Sequence, residues 1–115
     1  MARDVESMLA DAIDAGPQFD PWKLRCWREL RGLTQLELAK ALSWSDSGNE
    51  TISRIEGWKL NVGHRRHASL AGVLRCKLTD LSSVPAQLSK SRARYEEWCA
   101  AGSPPLRAWL ARAKV

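Results

Sequence analysis

The chain has 115 residues, 44% of them hydrophobic and 27% charged, with a formal net charge of +5. A disordered chain would be poorer in apolar residues, so a single packed domain, or a small domain with an extension, is expected. No apolar run approaches the roughly 20 residues that span a bilayer. The N-terminus carries early acids and no apolar stretch of signal-peptide length, so a soluble, cytoplasmic protein is expected.

Residues 1–20 hold a single base, Arg3, against five acids, and the rest of the chain is strongly basic. A basic body of this kind is what a polyphosphate partner requires, although solubility alone also favours it.

Along the chain, Val5, Met8, Leu9, Ala12 and Ile13 recur at helical spacing, which predicts an amphipathic helix over 3–15 ended by Gly16-Pro17. After a linker through Asp20-Pro21, a second helix carries Leu24, Trp27, Arg28, Leu30 and Arg31, with Gly32 placed as a left-handed residue at its end. Thr34-Gln35-Leu36-Glu37 reads as a capping box opening a helix with Leu38, Ala39 and Leu42 on one face. A turn-rich stretch over 43–48 follows. A second capping box, Ser47-Gly48-Asn49-Glu50, is expected to open a helix with Ile52 and Ile55 inside and Gly57 as its stop.

Ala68, Leu70, Ala71, Val73 and Leu74 make another helical face, closed by Leu78 and Leu81. Val84-Pro85 starts a helix that runs to about Ala100, with Leu88, Tyr95, Trp98 and Cys99 as candidates for its buried side. Ser103 before Pro104 is expected to cap a last helix bearing Leu106, Trp109 and Leu110. No strand, internal repeat or low-complexity tract is expected.

Residue identity then adds to periodicity. From Leu24 to Leu81 the chain resembles the lambda-repressor/Cro-type helix-turn-helix family, also called the XRE family. The matching residues are Leu24, Arg28, Gly32-Leu33-Thr34-Gln35, Leu38-Ala39, Leu42, Thr51-Ile52-Ser53-Arg54-Ile55-Glu56-Gly57, Leu70-Ala71, Val73-Leu74, Leu78 and Leu81. The resemblance implies an all-α fold. A five-helix helix-turn-helix domain over 21–83 would be preceded by the N-terminal helix and linker (1–20) and followed by a C-terminal helical extension (84–115). It also implies sequence-specific binding of double-stranded DNA, with the second helix of the motif in the major groove.

Carried over residue by residue, the resemblance assigns Gln35 to a phosphate and makes Arg28 and Glu56 a buried structural ion pair. Asn49, Glu50, Ser53 and Arg54 are the candidates for base contacts, since these side chains match acceptors and donors on base edges. Arg25, Thr51, Lys59, Asn61 and Arg65 join Gln35 as candidates for phosphate contacts, with Thr51 alternatively reaching a base edge. A solvated helix face or a cap is the plainer reading of each, above all for Asn49 and Glu50.

The chain departs from the family between Gln35 and Glu56, where it carries extra residues near Asp46-Ser47-Gly48. Either the turn is longer or the helix begins earlier, so Ser45, Ser47 or Gly48 would also reach DNA. Where the family favours a base after the glycine, this chain has Trp58, suited to packing over a sugar or over a neighbouring helix.

The chain has six tryptophans. Trp22, Trp27 and Trp44 read as packing. Trp98 and Trp109 either cover each other and the core or form a homodimer surface through the C-terminal helices. The basic stretch over 86–115 offers a third option, direct contact with DNA. Cys26, Cys76 and Cys99 form no Cys-x-x-Cys pair, so three reduced, mostly buried thiols are expected. His64 and His67 lack a third ligand nearby and read as surface histidines, so neither metal nor cofactor is expected. No spacing suggests a nucleophile with its base, so the chain is not expected to be an enzyme. The favoured reading is a prokaryotic or phage repressor of the Cro type, associated with the nucleoid and acting by operator occupancy. The alternative is an antitoxin-type module that neutralises a partner protein.

Overall fold

The computed structural model describes residues 17–44 and 47–113. The expected N-terminal helix over 3–15 lies outside the described residues, as does Ser45. The described chain is mostly helical, with a two-stranded antiparallel ladder of minimal length. Its α-helices are α1 (Pro21–Leu30), α2 (Gln35–Ala41), α3 (Gly48–Glu56), α4 (His64–Leu74), α5 (Pro85–Ala100) and α6 (Leu106–Ala113), and a 3-10 turn covers Leu78–Leu81. β1 (Gln18–Phe19) pairs with β2 (Ser82–Ser83), Gln18 opposite Ser83 and Phe19 opposite Ser82. No strand is expected from the sequence, because two residues are too short to show an alternating pattern. Among the described residues no helix is long and apolar enough to cross a membrane.

α1 begins where two local preferences coincide. The Asp20 carboxylate accepts the N–H groups of Trp22 and Lys23, and Pro21 occupies a first-turn position where a missing N–H costs nothing. Asp20 is fully buried, and its other oxygen accepts the hydroxyls of Ser83 and Ser91. A residue read from the sequence as linker charge therefore joins the start of α1 to β2 and α5. The left-handed residue after α1 is Gly32, at φ +71°.

The main core is formed by Leu24, Leu38, Ala39, Ile52, Ile55, Leu70, Ala71, Leu74 and Leu81, drawn from α1 to α4 and the 3-10 turn. Ala68 and Leu78, assigned to this core by spacing, are exposed. A second cluster of Trp22, Trp98 and Leu106 fixes α5 and α6 onto α1, with Trp58, Tyr95 and Trp109 packed around it.

Three further expectations are corrected. Cys99 is exposed on α5 while Cys26 and Cys76 are half-buried. α6 opens at Leu106, and Ser103 lies in the left-handed region (φ 52°) of the turn that ends α5, so it does not cap the last helix. His67 is half-buried and engaged, not a free surface histidine. Its Nε2 lies 2.9 Å from the Leu78 carbonyl and 3.3 Å from the Ser82 hydroxyl, and its ring meets Phe19 edge-on.

Candidate nucleic-acid interface

α2 opens with the reciprocal cap its sequence encodes. The Glu37 N–H donates to the Thr34 hydroxyl, and the Thr34 N–H donates to the Glu37 carboxylate, each at 3.0 Å. Hydrogen bonding from Thr34 to its carboxylate, the backbone N–H contributing most, holds the Glu37 carboxyl below its ordinary range. The second expected box does not form. Ser47, at φ −93° and ψ 12°, is not extended, so its hydroxyl makes no capping bond to α3.

The α2–α3 pair is set by a close approach. A Cβ on Gly48 would lie 2.9 Å from the Trp44 Cβ and 3.0 Å from the Ala39 Cβ. Small residues at 39 and 48 therefore let the start of α3 sit directly against α2. Ile52, Ile55 and Glu56 fasten the inner side of α3 to the core, while Glu50, Ser53 and Arg54 are exposed on its outer side. Among the described residues no hydrogen bond or ion pair engages these three side chains, and Asn49 is half-buried beside them. The Thr51 hydroxyl is turned back to donate to the Ser47 carbonyl at 3.3 Å.

Behind α3 lies a buried charge network. Arg28 is bidentate on Glu56, Nε to Oε2 at 2.6 Å and Nη2 to Oε1 at 2.9 Å, and its Nη1 donates to the Leu33 carbonyl. Burial by itself would lower the Arg28 pKa, but the hydrogen bond and charge of Glu56 outweigh it and raise the value. Two residues assigned to phosphates from the sequence join this network. The Gln35 amide donates to Glu56 Oε1 at 3.2 Å. Arg25 lies 3.4 Å from the same oxygen, with its guanidinium over the rings of Trp98 and Tyr95. Glu56 attracts both side chains inward, and with only 12% of its side chain exposed Arg25 is a poor phosphate ligand.

Lys59, Asn61 and Arg65 are exposed. The Lys59 N–H bonds the Arg54 carbonyl, so Lys59 follows closely on the end of α3. α4 begins at Gly63 without a side-chain cap, and its first turn carries His64, Arg65 and Arg66 with no acid. Such a helix end favours anions. Arg66, not singled out from the sequence, stacks over Trp44 at 5.2 Å. That contact brings the basic start of α4 beside the turn between α2 and α3. The signal for it was the Arg65-Arg66 doublet, which does not say which member turns towards Trp44. Trp58 packs over a neighbouring helix, in the Trp22–Trp98 cluster, with Arg92 of α5 above its ring. Its backbone lies at φ 61°, a conformation that a bulky residue adopts only under packing constraint. Trp98 is buried and Trp109 is packed against its cluster. Among the described residues no group of three or more His, Cys, Asp and Glu is placed to hold a metal ion.

Comparison of the chain with models of known families, with curated proteins and with solved structures returned no match.

Proposed function

We propose that the chain binds double-stranded DNA at specific sequences, with α2 and α3 as a helix-turn-helix and α3 in the major groove. Occupancy of an operator by such a domain would make it a transcriptional repressor. The observation that carries the reading is the two-sided character of α3. Its inner side is fixed by Ile52, Ile55 and the Arg28–Glu56 pair, and its outer side presents Glu50, Ser53 and Arg54. A reading helix needs both properties, because base edges are recognised only by side chains held in register.

The surrounding charge supports the same reading. Lys59, Arg65 and the uncapped start of α4 offer cations and N–H groups for phosphates on the flank of α3. Arg54 is the leading candidate for a base contact, with Glu50 and Ser53 beside it. Lys59, Asn61 and Arg65 are the candidates for phosphates, whereas Gln35 and Arg25 serve the network behind the helix.

The test compares two substitutions on a duplex selected by the wild-type protein. Arg54→Ala should weaken binding by about 1–3 kcal/mol and relax preference at one base pair. Lys59→Ala should weaken binding to all sequences alike and reduce the salt slope by about one phosphate equivalent. Equal, sequence-independent effects from both would contradict α3 as the reading element.

A further inference from the structure

A buried cation, Arg25, links α5 to the end of α3. Glu56, fully buried in the last turn of α3, faces two guanidiniums, and Arg28 holds the better geometry on both oxygens. Among the described residues Arg25 has a single 3.4 Å approach to Oε1, and its Nε is buried without a hydrogen-bond partner. One carboxylate shared in this way does not balance both cations, so something else must hold Arg25 out of water. Its Cζ lies 4.5 Å from the Trp98 ring centroid and 5.7 Å from that of Tyr95, both on α5. Aromatic faces attract a desolvated guanidinium in this way. The end of α3 adds the partial negative charge of its last carbonyls.

The clamp is itself anchored. Trp98 is 8% exposed, packs edge-on against Trp22 at 6.0 Å, and donates its indole N–H to the Pro104 carbonyl at 2.8 Å. Tyr95 reaches the stop of α3 directly, since a Cβ on Gly57 would lie 3.7 Å from its hydroxyl. We infer that Trp98 and Tyr95 are positioning residues for α3, acting through Arg25 on Glu56, so that the C-terminal extension sets the order of the last turn of α3. Its consequence for DNA affinity rests on the reading of α3 as the recognition helix.

The experiment uses the full chain and the variants Trp98→Leu, Arg25→Met and their double, followed by amide hydrogen exchange. Either single variant should speed exchange at Ile55, Glu56 and Gly57 about tenfold, the size expected for one desolvated cation–aromatic contact. Amides of α2 should be unaffected, and the double should be no faster than the worse single. Trp98→Phe, which keeps an aromatic face, should recover most of the loss. If Trp98→Leu does not fold, Tyr95→Leu takes its place in the cycle. Exchange accelerated equally across α1 to α4, or effects that add in the double, would overturn the coupling. Duplex affinity should fall about tenfold in the single variants with an unchanged salt slope, because no phosphate contact is lost. Unchanged affinity together with faster exchange would overturn the consequence for binding. If the wild-type chain selects no duplex, the DNA reading fails by itself, and the exchange cycle still decides the coupling.

Discussion

Replacing Glu56 by glutamine removes the single carboxylate around which three donors converge. Glu56 is fully buried, with Arg28 at 2.6 and 2.9 Å, Gln35 at 3.2 Å and Arg25 at 3.4 Å. Glutamine keeps the shape but sets an NH2 group against guanidinium donors. Arg28 has no escape by deprotonation, because its charge persists at any pH compatible with folding. Breaking a buried pair from one side costs about 3–5 kcal/mol, a large share of the roughly 5–15 kcal/mol that holds a domain folded. With a urea slope of about 1.5 kcal/mol/M, the midpoint should fall by about 2–3 M. Replacing both partners, as in Arg28→Met with Glu56→Leu, is often nearly neutral for an isolated pair. Here it should recover only part of the loss, because Arg25 still faces a site that has lost its carboxylate. Adding Arg25→Met should recover more. A midpoint shift for Glu56→Gln worth less than about 1 kcal/mol would refute the reasoning, since a solvated pair behaves in that way.

Gly48→Ala puts two opposing effects in competition. Alanine gains up to about 1 kcal/mol in helix preference, but its Cβ would meet the Cβ atoms of Trp44 and Ala39 at 2.9 and 3.0 Å. A net loss of about 1–3 kcal/mol in thermal unfolding is expected, and a stabilised variant would show that the two helices separate easily. Asp20→Ala should cost about 3 kcal/mol, as it removes the cap of α1 and leaves the buried Ser83 and Ser91 hydroxyls without their acceptor. A loss below about 1 kcal/mol in urea would mean that the C-terminal helices are not tied to α1 through this residue. Burial pushes the Cys26 thiol up to about 11, so at pH 8 mass-spectrometric labelling should find the exposed Cys99 modified well before it. The reverse order would place Cys26 at the surface.

What the sequence disclosed and what it hid follow from the range of the interactions involved. The cap at Thr34 and Glu37 was legible because both partners lie within one helical turn. The helix bounded by Pro85 and Ala100 is legible from its proline start and the Gly102-Ser103 break that follows it. Arg28 and Glu56 were paired by resemblance alone, since nothing local joins residues 28 apart in sequence. The same distance hid the fate of Arg25, which reads as one more surface base until the aromatic faces of α5 are brought beside it. The bond from the Gln35 amide to Glu56 is hidden for a related reason, because the accepting oxygen comes from another helix. Asp20 gives no sign of its tie to β2 and α5, since its serine partners lie at 83 and 91. At Ser47 the letters of a capping box are present, but the longer turn delivers the residue in a backbone conformation that cannot use them.

The most direct test of DNA recognition is selection by the purified chain from a pool of random duplexes, with binding measured against salt. A consensus bound with Kd in the range of roughly 10⁻⁸–10⁻¹¹ M is the expected result, and its symmetry would distinguish a dimer on two half-sites from a monomer. Weak, unselective binding lost steeply as salt rises would reflect the basic charge alone, and would contradict a base-reading role for α3.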